Sequence, residues 1–229
     1  MVDVTRAGRR HHGGDPPAGI TTRHAFSFGG HYDPGNLRHG PLTACNEEWL
    51  APGAGFAEHT HREVEIVTWV LEGALEHRDD AGHHTVVPAG SGQWLSAGAA
   101  VRHTEANADA GRPCRFVQMW LEPARTGGPA AHGTFGPDGP PVRPPRLPGA
   151  TLTVARERLA VPAAPFGYLH VLGGAVRLGG TGPDGTLPDG PRLEPGDAAR
   201  LTGAEELTAE PDAPDTAYLL WSLPAAARP

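Results

Sequence analysis

Glycine and proline divide this sequence into short apolar runs, and that division limits most strongly what the chain can fold into. The two residue types supply 32 and 25 of the 229 positions. The runs between them are rich in Val, Leu, Trp and Tyr, which is typical of β-strands bounded by turns. No segment keeps a helical period for more than about two turns. The sequence therefore predicts an all-β fold. The strand-like runs are Glu65–Leu71, Thr85–Val87, Arg115–Leu121, Thr151–Ala155, Tyr168–Val171 and Tyr218–Leu223.

The stretch of residues 127–148 interrupts this pattern. It has almost no apolar side chains and many prolines, which stiffen a chain and remove hydrogen-bond donors. We interpret it as a linker between an N-terminal domain, residues 1–126, and a C-terminal domain, residues 149–229.

The two sides of this linker resemble each other. Val70–Leu75 matches Val171–Val176, and Trp120–Pro123 matches Trp221–Pro224, both at an offset of 101 residues. Matches in the same order indicate a duplicated β unit of about 100 residues. We therefore expect two small β-barrels packed together.

Charge and cysteine content exclude several classes of function. The net charge is −7, which argues against a binding surface for nucleic acid or anionic membranes. No apolar run is long enough to cross a bilayer, and the first residues lack the apolar segment of a signal peptide. Cys45 and Cys114 do not make a disulfide framework and are expected to be reduced core thiols. These features predict a cytoplasmic protein that binds neither nucleic acid nor membrane.

Two pairs of potential metal ligands occur at strand spacing. His59 and His61 are two residues apart, and so are His103 and Glu105. Side chains at positions i and i+2 of a strand share a face, so each pair points in one direction. If both strands face inward in one barrel, three imidazoles and a carboxylate meet, a donor set that suits Fe, Ni, Mn, Co, Cu or Zn. Spacing alone leaves Glu65 as an alternative to Glu105.

The segments around these residues resemble the two cupin motifs and, more closely, the pirin family. The cupin pattern reads Gly-x5-His-x-His-x3-Glu, then Gly-x5-Pro-x-Gly, then His-x3-Asn. In this chain it falls on Gly53, His59, His61 and Glu65, on Gly82, Pro88 and Gly90, and on His103 and Asn107. The pirin-like segments are Arg23–Gly29, Tyr32–Pro34, Asn46–Glu47, Pro52–Phe56, His59–Glu65, Leu71–Asp79 and Ser96–Glu105.

This resemblance implies two tandem cupin β-barrels of the jelly-roll type that face each other, with one metal in the N-terminal barrel. The pirin pattern implies that the metal ligands are His59, His61, His103 and Glu105. It also implies iron as the metal, with nickel, manganese, cobalt, copper and zinc as alternatives. Glu65 is then expected to accept a hydrogen bond from a ligating histidine.

The second unit departs from the ligand pattern. The residues at the equivalent positions are Ala160, Pro162, Phe166, Thr208 and Glu210. One carboxylate cannot hold a metal, so the C-terminal barrel is predicted to be a degenerate cupin without metal.

The resemblance further implies an activity, quercetin 2,3-dioxygenase chemistry. A flavonol would bind through its enolic oxygen, and Glu105 would take the hydroxyl proton as the catalytic group. O₂ would then open the heterocycle to give a depside and carbon monoxide. The alternative is a non-catalytic, metal- or redox-regulated protein that binds a protein partner, and another oxygenase or isomerase substrate is a third reading because fold does not fix function. The expected partners are a flavonol-like aromatic and O₂, and the expected state is a monomer.

Several aromatic residues and histidines remain open at this point. The candidates for pocket wall or barrel core are Phe26, Phe28, Phe56, Trp69 and Trp94. The histidines interpreted as either pocket wall or strand surface are His24, His31 and His39. The histidines interpreted as polar residues beside a turn are His77, His83 and His84.

Overall fold

The computed structural model describes residues 1–180, 190–203 and 207–225, and the regular structure of this part is almost entirely β, as predicted. The strands are β1 (Val2–Thr5), β2 (His11–Asp15), β3 (Ile20–His24), β4 (Leu42–Leu50), β5 (Gly55–His61), β6 (Glu65–Glu72), β7 (Ala74–Asp79), β8 (His84–Pro88), β9 (Gly92–Ser96), β10 (Val101–Asn107), β11 (Cys114–Leu121), β12 (Ala131–Phe135), β13 (Thr151–Ala155), β14 (Leu159–Ala160), β15 (Phe166–Gly173), β16 (Val176–Gly180), β17 (Arg192–Leu193), β18 (Ala198–Thr202), β19 (Leu207–Pro211) and β20 (Ala217–Leu223). Two single 3-10 turns accompany them, Ala7–Arg9 and Pro16–Ala18. Within the described ranges no helix has the length and apolarity that a membrane span requires.

The strands divide into two compact units. The first unit comprises residues 11–139 and 144–148, and the second comprises residues 1–10, 140–143 and the chain from 149 onward as far as it is described. The first unit has a seven-stranded sheet in the order β12-β9-β6-β11-β4-β3-β2 and a four-stranded sheet in the order β5-β10-β7-β8. The second unit has a five-stranded sheet, β1-β18-β15-β20-β13, and a four-stranded sheet, β14-β19-β16-β17.

This division differs from the predicted one in two places. The first ten residues do not belong to the N-terminal unit, because β1 pairs with β18 of the second unit. The predicted linker, residues 127–148, is not a plain connection, because it contains β12, which pairs with β9 at the edge of the first unit's larger sheet. Of the predicted C-terminal domain, residues 181–189, 204–206 and 226–229 lie outside the described residues.

The internal repeat is visible in the strands. β6 and β15 begin and end 101 residues apart, as the sequence matches predict. In the first unit His59 lies opposite His103 across two neighbouring strands. In the second unit the equivalent pair is Ala160 opposite Thr208. The strand pairing is therefore the same in both units. Of these two equivalent pairs, however, only the pair in the first unit consists of histidines.

Apolar side chains pack inside each unit. In the first unit one cluster consists of Ile20, Leu50, Val70, Leu75, Val87, Cys114 and Phe116, and another of Ile66, Leu95, Ala97 and Val101. In the second unit a larger cluster is built around Leu169, Val171, Leu201, Tyr218 and Leu220. Cys45 and Cys114 are both buried free thiols, as expected.

Candidate metal centre

Strands β5 and β10 bring the predicted ligand pairs onto neighbouring strands of the first unit's smaller sheet. The strands are antiparallel, with His103 opposite His59 and Val101 opposite His61. Side chains alternate between the two faces of a strand, and the buried positions of β10 include Val101, His103 and Glu105. The backbone therefore directs His103 and Glu105 to the inner face, beside the two histidines of β5.

Three imidazole nitrogens converge on one point. The Nε2 atom of His59 lies 2.9 Å from Nε2 of His61 and 3.0 Å from Nε2 of His103. Nitrogen ligands at about 2.1 Å from one ion, at right angles to each other, are about 3 Å apart. The three side chains thus have the spacing of neighbouring metal ligands, and their donor chemistry fits a divalent transition metal.

Burial keeps two of these imidazoles uncharged. It lowers the pKa of His61 to about 4, because the charged imidazolium is poorly solvated there, and the charge of His59 adds to the effect. Burial likewise lowers the pKa of His103 far below its ordinary value, with further lowering from the neighbouring imidazoles. The neutral imidazole is the form that binds a metal, so both rings are in that form at neutral pH.

Hydrogen bonds on the far side of the rings fix which nitrogen faces inward. Nδ1 of His59 donates to the carbonyl oxygen of Ala57 at 2.8 Å, which leaves its Nε2 lone pair free to bind. Nδ1 of His103 lies 3.3 Å from Nδ1 of His77, whose Nε2 lies 3.1 Å from Oδ2 of Asp79. The consistent arrangement has His103 donating to His77 and His77 donating to Asp79. It leaves Nε2 of His103 as a ligand atom.

Asp79 is an ionised carboxylate at the end of this chain of hydrogen bonds. It accepts hydrogen bonds from the backbone N–H groups of Ala81 and His83 and from Nδ1 of His83. Burial by itself would raise the pKa of Asp79, but the hydrogen bonds from His83 and His77 outweigh it and lower that pKa. The interpretation of His77 as a turn residue is therefore wrong, because its side chain lies on β7 and is fully buried beside the site.

Glu105 lies beside the three histidines but is held by amides. Gln93 donates to its Oε1 atom and Gln118 donates to its Oε2 atom, both at 2.8 Å. Its ligand atom groups with those of His77 and His103 rather than with the three converging Nε2 atoms. Burial raises the pKa of this carboxyl above its ordinary value. The two glutamines were missed in the sequence, where nothing in their spacing marks them.

Glu65 does not take the predicted role. It begins β6, which belongs to the larger sheet, whereas the histidines lie on the smaller one. Its Oε1 atom accepts a hydrogen bond from Oγ of Ser96 at 2.5 Å, and Ser96 accepts one from Arg146 at 2.6 Å. The acceptors that orient the histidines are instead the carbonyl of Ala57 and the ring of His77.

A cavity of about 530 Å³ opens beside these groups, within the first unit. Its polar lining includes His59, Glu105 and Gln118, and its apolar lining includes Phe28, Phe56 and Trp120. The ring of Trp120 is nearly perpendicular to that of His61, with centroids 4.8 Å apart, and Nε1 of Trp120 donates to Gln118. Of the five predicted wall residues, Phe28 and Phe56 line this cavity, whereas Phe26 and Trp69 are buried in the core. Trp120 was not among the predicted walls.

The sequence matches the pirin family over residues 5–121, the part of the chain that carries the converging histidines. The chain belongs to the pirin family. The predicted family is thereby confirmed. The crystal structure of the bacterial pirin YhhW from Escherichia coli in complex with nickel(II) has the same fold, with a TM-score of 0.84 and 26% identity over 99% of this chain and 100% of that one. The all-β bicupin architecture expected of a pirin is thus also confirmed.

Two further relatives bear on the chemistry of this pirin. A Mycobacterium tuberculosis protein named "Putative quercetin 2,3-dioxygenase" is 37% identical over 89% of this chain and 88% of its own length. A protein named quercetin 2,3-dioxygenase from Escherichia coli is 35% identical over 56% of this chain and 54% of its own length. The names of both relatives refer to quercetin 2,3-dioxygenase.

Proposed function

We propose that this pirin is a metal-dependent dioxygenase that opens the heterocycle of a flavonol such as quercetin. The observation that carries the proposal is the convergence of three imidazole Nε2 atoms beside a buried carboxylate and an apolar cavity. When bound, a divalent transition metal supplies Lewis-acid chemistry toward an enolic oxygen and the means to use O₂. The nickel in the YhhW structure and the names of the relatives support this choice of chemistry.

The metal would be held by His59, His61 and His103, with Glu105 as the fourth ligand. The three histidines supply neutral nitrogen donors, and Glu105 supplies a hard oxygen donor next to His103. Such a mixed set of nitrogen and oxygen atoms suits iron, nickel, manganese, cobalt, copper and zinc. We propose iron as the metal in the cell, because a reaction with O₂ favours a metal that changes oxidation state.

Glu105 would also act on the proton of the substrate. Burial raises the pKa of Glu105, so its ionised form is a stronger base than an exposed glutamate. Gln93 and Gln118 hold one carboxylate oxygen each, which fixes the direction from which the carboxylate meets a hydroxyl group. Loss of the hydroxyl proton to Glu105 leaves the flavonol as an enolate. One O₂ then adds, and return of the proton from Glu105 gives one depside and one carbon monoxide.

The cavity suits a flat aromatic substrate. Its volume of about 530 Å³ is within the range of small-molecule sites and exceeds what a single ring requires. Phe28 and Trp120 meet edge to face, with centroids 4.9 Å apart, and form one apolar wall. Aromatic walls exclude water and stack on planar rings, which is how a flavonol would be held against the histidines.

The proposal is tested by turnover of quercetin. The metal-free protein is loaded in turn with each of the six divalent metals, and O₂ uptake, quercetin absorbance and carbon monoxide are followed. We expect equal amounts of O₂ consumed, quercetin lost and carbon monoxide released with iron or nickel. The His59→Ala variant, which lacks one of the three nitrogens, is expected to be inactive. Absence of turnover with all six metals contradicts the enzyme proposal and favours the metal-regulated binding protein.

A further inference from the structure

A second cavity of about 360 Å³ adjoins the first, and nothing in the proposed chemistry uses it. The two cavities share Gly14, Phe28, Glu48 and Phe56 as lining residues, so they lie side by side within the first unit. We call the second cavity the histidine annex, because its lining includes His11, His24 and His31.

The imidazoles of the annex form a stacked array. The rings of His11 and His31 are parallel within 7°, with centroids 3.8 Å apart, and His24 lies 6.1 Å from His11 in a stacked orientation. The ring of His24 also stacks on Phe28 at 5.3 Å, and Phe28 lines both cavities. The rings therefore stack in the order His31, His11, His24 and Phe28, and the last of them also lines the first cavity.

The backbone around these imidazoles allows the ring of His24 to lie close to β2. β2 and β3 pair so that His11 lies opposite His24, and Phe28 and His31 exchange two backbone hydrogen bonds of 3.0 Å. A Cβ atom at Gly13 would lie 2.4 Å from Nε2 of His24, so only glycine lets this ring lie flat against β2. The positions of the annex imidazoles are therefore determined by the pairing of neighbouring strands and by the absence of a side chain at Gly13.

Glu48 is a buried polar residue that lines both cavities. Its side chain is 4% exposed, and its Oε2 atom lies 2.5 Å from Oγ1 of Thr22. Burial raises the pKa of Glu48 to about 8, so the carboxyl is mostly protonated at neutral pH. A neutral carboxyl both donates and accepts hydrogen bonds, as the hydroxyl of Thr22 and the imidazoles do.

We propose that the histidine annex binds the hydroxylated ring of a flat aromatic substrate whose other end lies at the three converging histidines. The proposal rests on the proposed function and names the part of the substrate that decides affinity. The aromatic side chains that line the annex suit a planar ring, and neutral groups that donate and accept suit its hydroxyls. Neither cavity is lined by an arginine among the described residues, so an anionic substrate group would find no permanent cation there.

The test uses two flavonols that differ only in this ring. Quercetin carries two hydroxyls on the ring that galangin leaves unsubstituted. Binding to the nickel-loaded protein is measured without O₂, by quenching of tryptophan fluorescence. We expect quercetin to bind about tenfold more tightly than galangin, as one or two additional hydrogen bonds would give. In the His31→Ala and Glu48→Leu variants the two affinities should become equal, while galangin binding by Glu48→Leu stays within about threefold.

His84→Ala is the matched control, because His84 is an exposed histidine on β8 that lines neither cavity. His31 is only partly buried, so the His31→Ala variant keeps the test valid if Glu48→Leu does not fold. Equal affinities for the two flavonols in the parent protein, or an unchanged preference in His31→Ala, overturn the annex proposal alone. Failure to bind either flavonol overturns it together with the proposed function.

Discussion

The ring of His77 lies against the ring of His103, with their Nδ1 atoms 3.3 Å apart and both side chains buried. His103 is the candidate ligand, and His77 connects it to the ionised carboxylate of Asp79. A carboxylate that accepts a hydrogen bond from an imidazole, which in turn accepts one from the ligand, increases the electron density on the ligating nitrogen and fixes its direction. In this pirin that connection runs through two imidazoles in sequence.

Replacing His77 with phenylalanine should weaken metal binding. The His77→Phe variant keeps an aromatic ring stacked on His132, 4.5 Å away, but cannot accept a hydrogen bond from His103. We expect the affinity for nickel(II) to fall about 10- to 100-fold, the usual effect of losing such a partner. Competition with a chelator measures it, and His84→Ala serves as the control. Parent-like affinity in His77→Phe would show that the ring only fills space.

Removing His61 should abolish metal binding while the fold persists. His61 is outside the apolar clusters that stabilise the first unit, so the His61→Ala variant loses a donor without opening the core. We expect less than about a tenth of the parent metal content, because the variant keeps only two of the three converging nitrogen donors. The circular dichroism spectrum and melting temperature of the metal-free forms should agree within a few degrees. Global unfolding of the variant would contradict this and assign a structural role to the site.

Glu48 should make the first unit less stable as the pH rises. Its pKa is about 8 in the folded protein and 4.5 in a free chain, so the folded state holds a proton that the unfolded state releases between these values. The free energy of unfolding therefore falls as pH rises from 4.5 to 8, by at most about 5 kcal/mol. In Glu48→Gln the part of the fall that Glu48 contributes should be absent. Urea unfolding at pH 5 and pH 8.5 measures it, with the exposed Glu72→Gln as control. Parallel pH profiles of parent and Glu48→Gln would refute the shift.

Gln118 should matter for turnover more than for metal content. It donates to Glu105 and accepts from Trp120, so the Gln118→Met variant frees one oxygen of the proposed base while keeping the side-chain volume. Losing a hydrogen bond to a charged group costs about 1.5–3 kcal/mol, which corresponds to a roughly 10- to 100-fold lower kcat with quercetin. Metal content should remain within a factor of about two, as a ligand set left intact requires. Full activity in this variant would show that Glu105 needs no such support.

The placement of the three histidines could be predicted because strand geometry determines it. A period of two puts His59 and His61 on one face, and the same rule carries His103 and Glu105 inward. The roles of Gln93 and Gln118 could not be predicted, because amides have no ligand signature and their positions depend on which strands pair. His77 and Asp79 do have i, i+2 spacing, but their neighbouring turn suggested exposure, whereas both side chains are fully buried.

The two misplaced boundaries have physical causes as well. β12 has the composition of a linker, but Gly133 lacks a Cβ, and the Trp94 ring of β9 occupies that space at 2.6 Å. In the sequence this glycine suggests a flexible linker, whereas in the structure it leaves the space that the Trp94 ring fills. β1 has only four residues and pairs with β18, far along the chain. No local sequence pattern could therefore predict this pairing.

The pairing of β1 with β18 sets an order of events during synthesis. β1 leaves the ribosome first and stays unpaired until β18, which begins 196 residues later, has been made. A single cut after residue 139 therefore cannot yield two self-sufficient halves, since the fragment lacking the first ten residues would expose an open sheet edge. Circular permutants that join those ten residues directly to the later strands would shorten the wait and should refold faster.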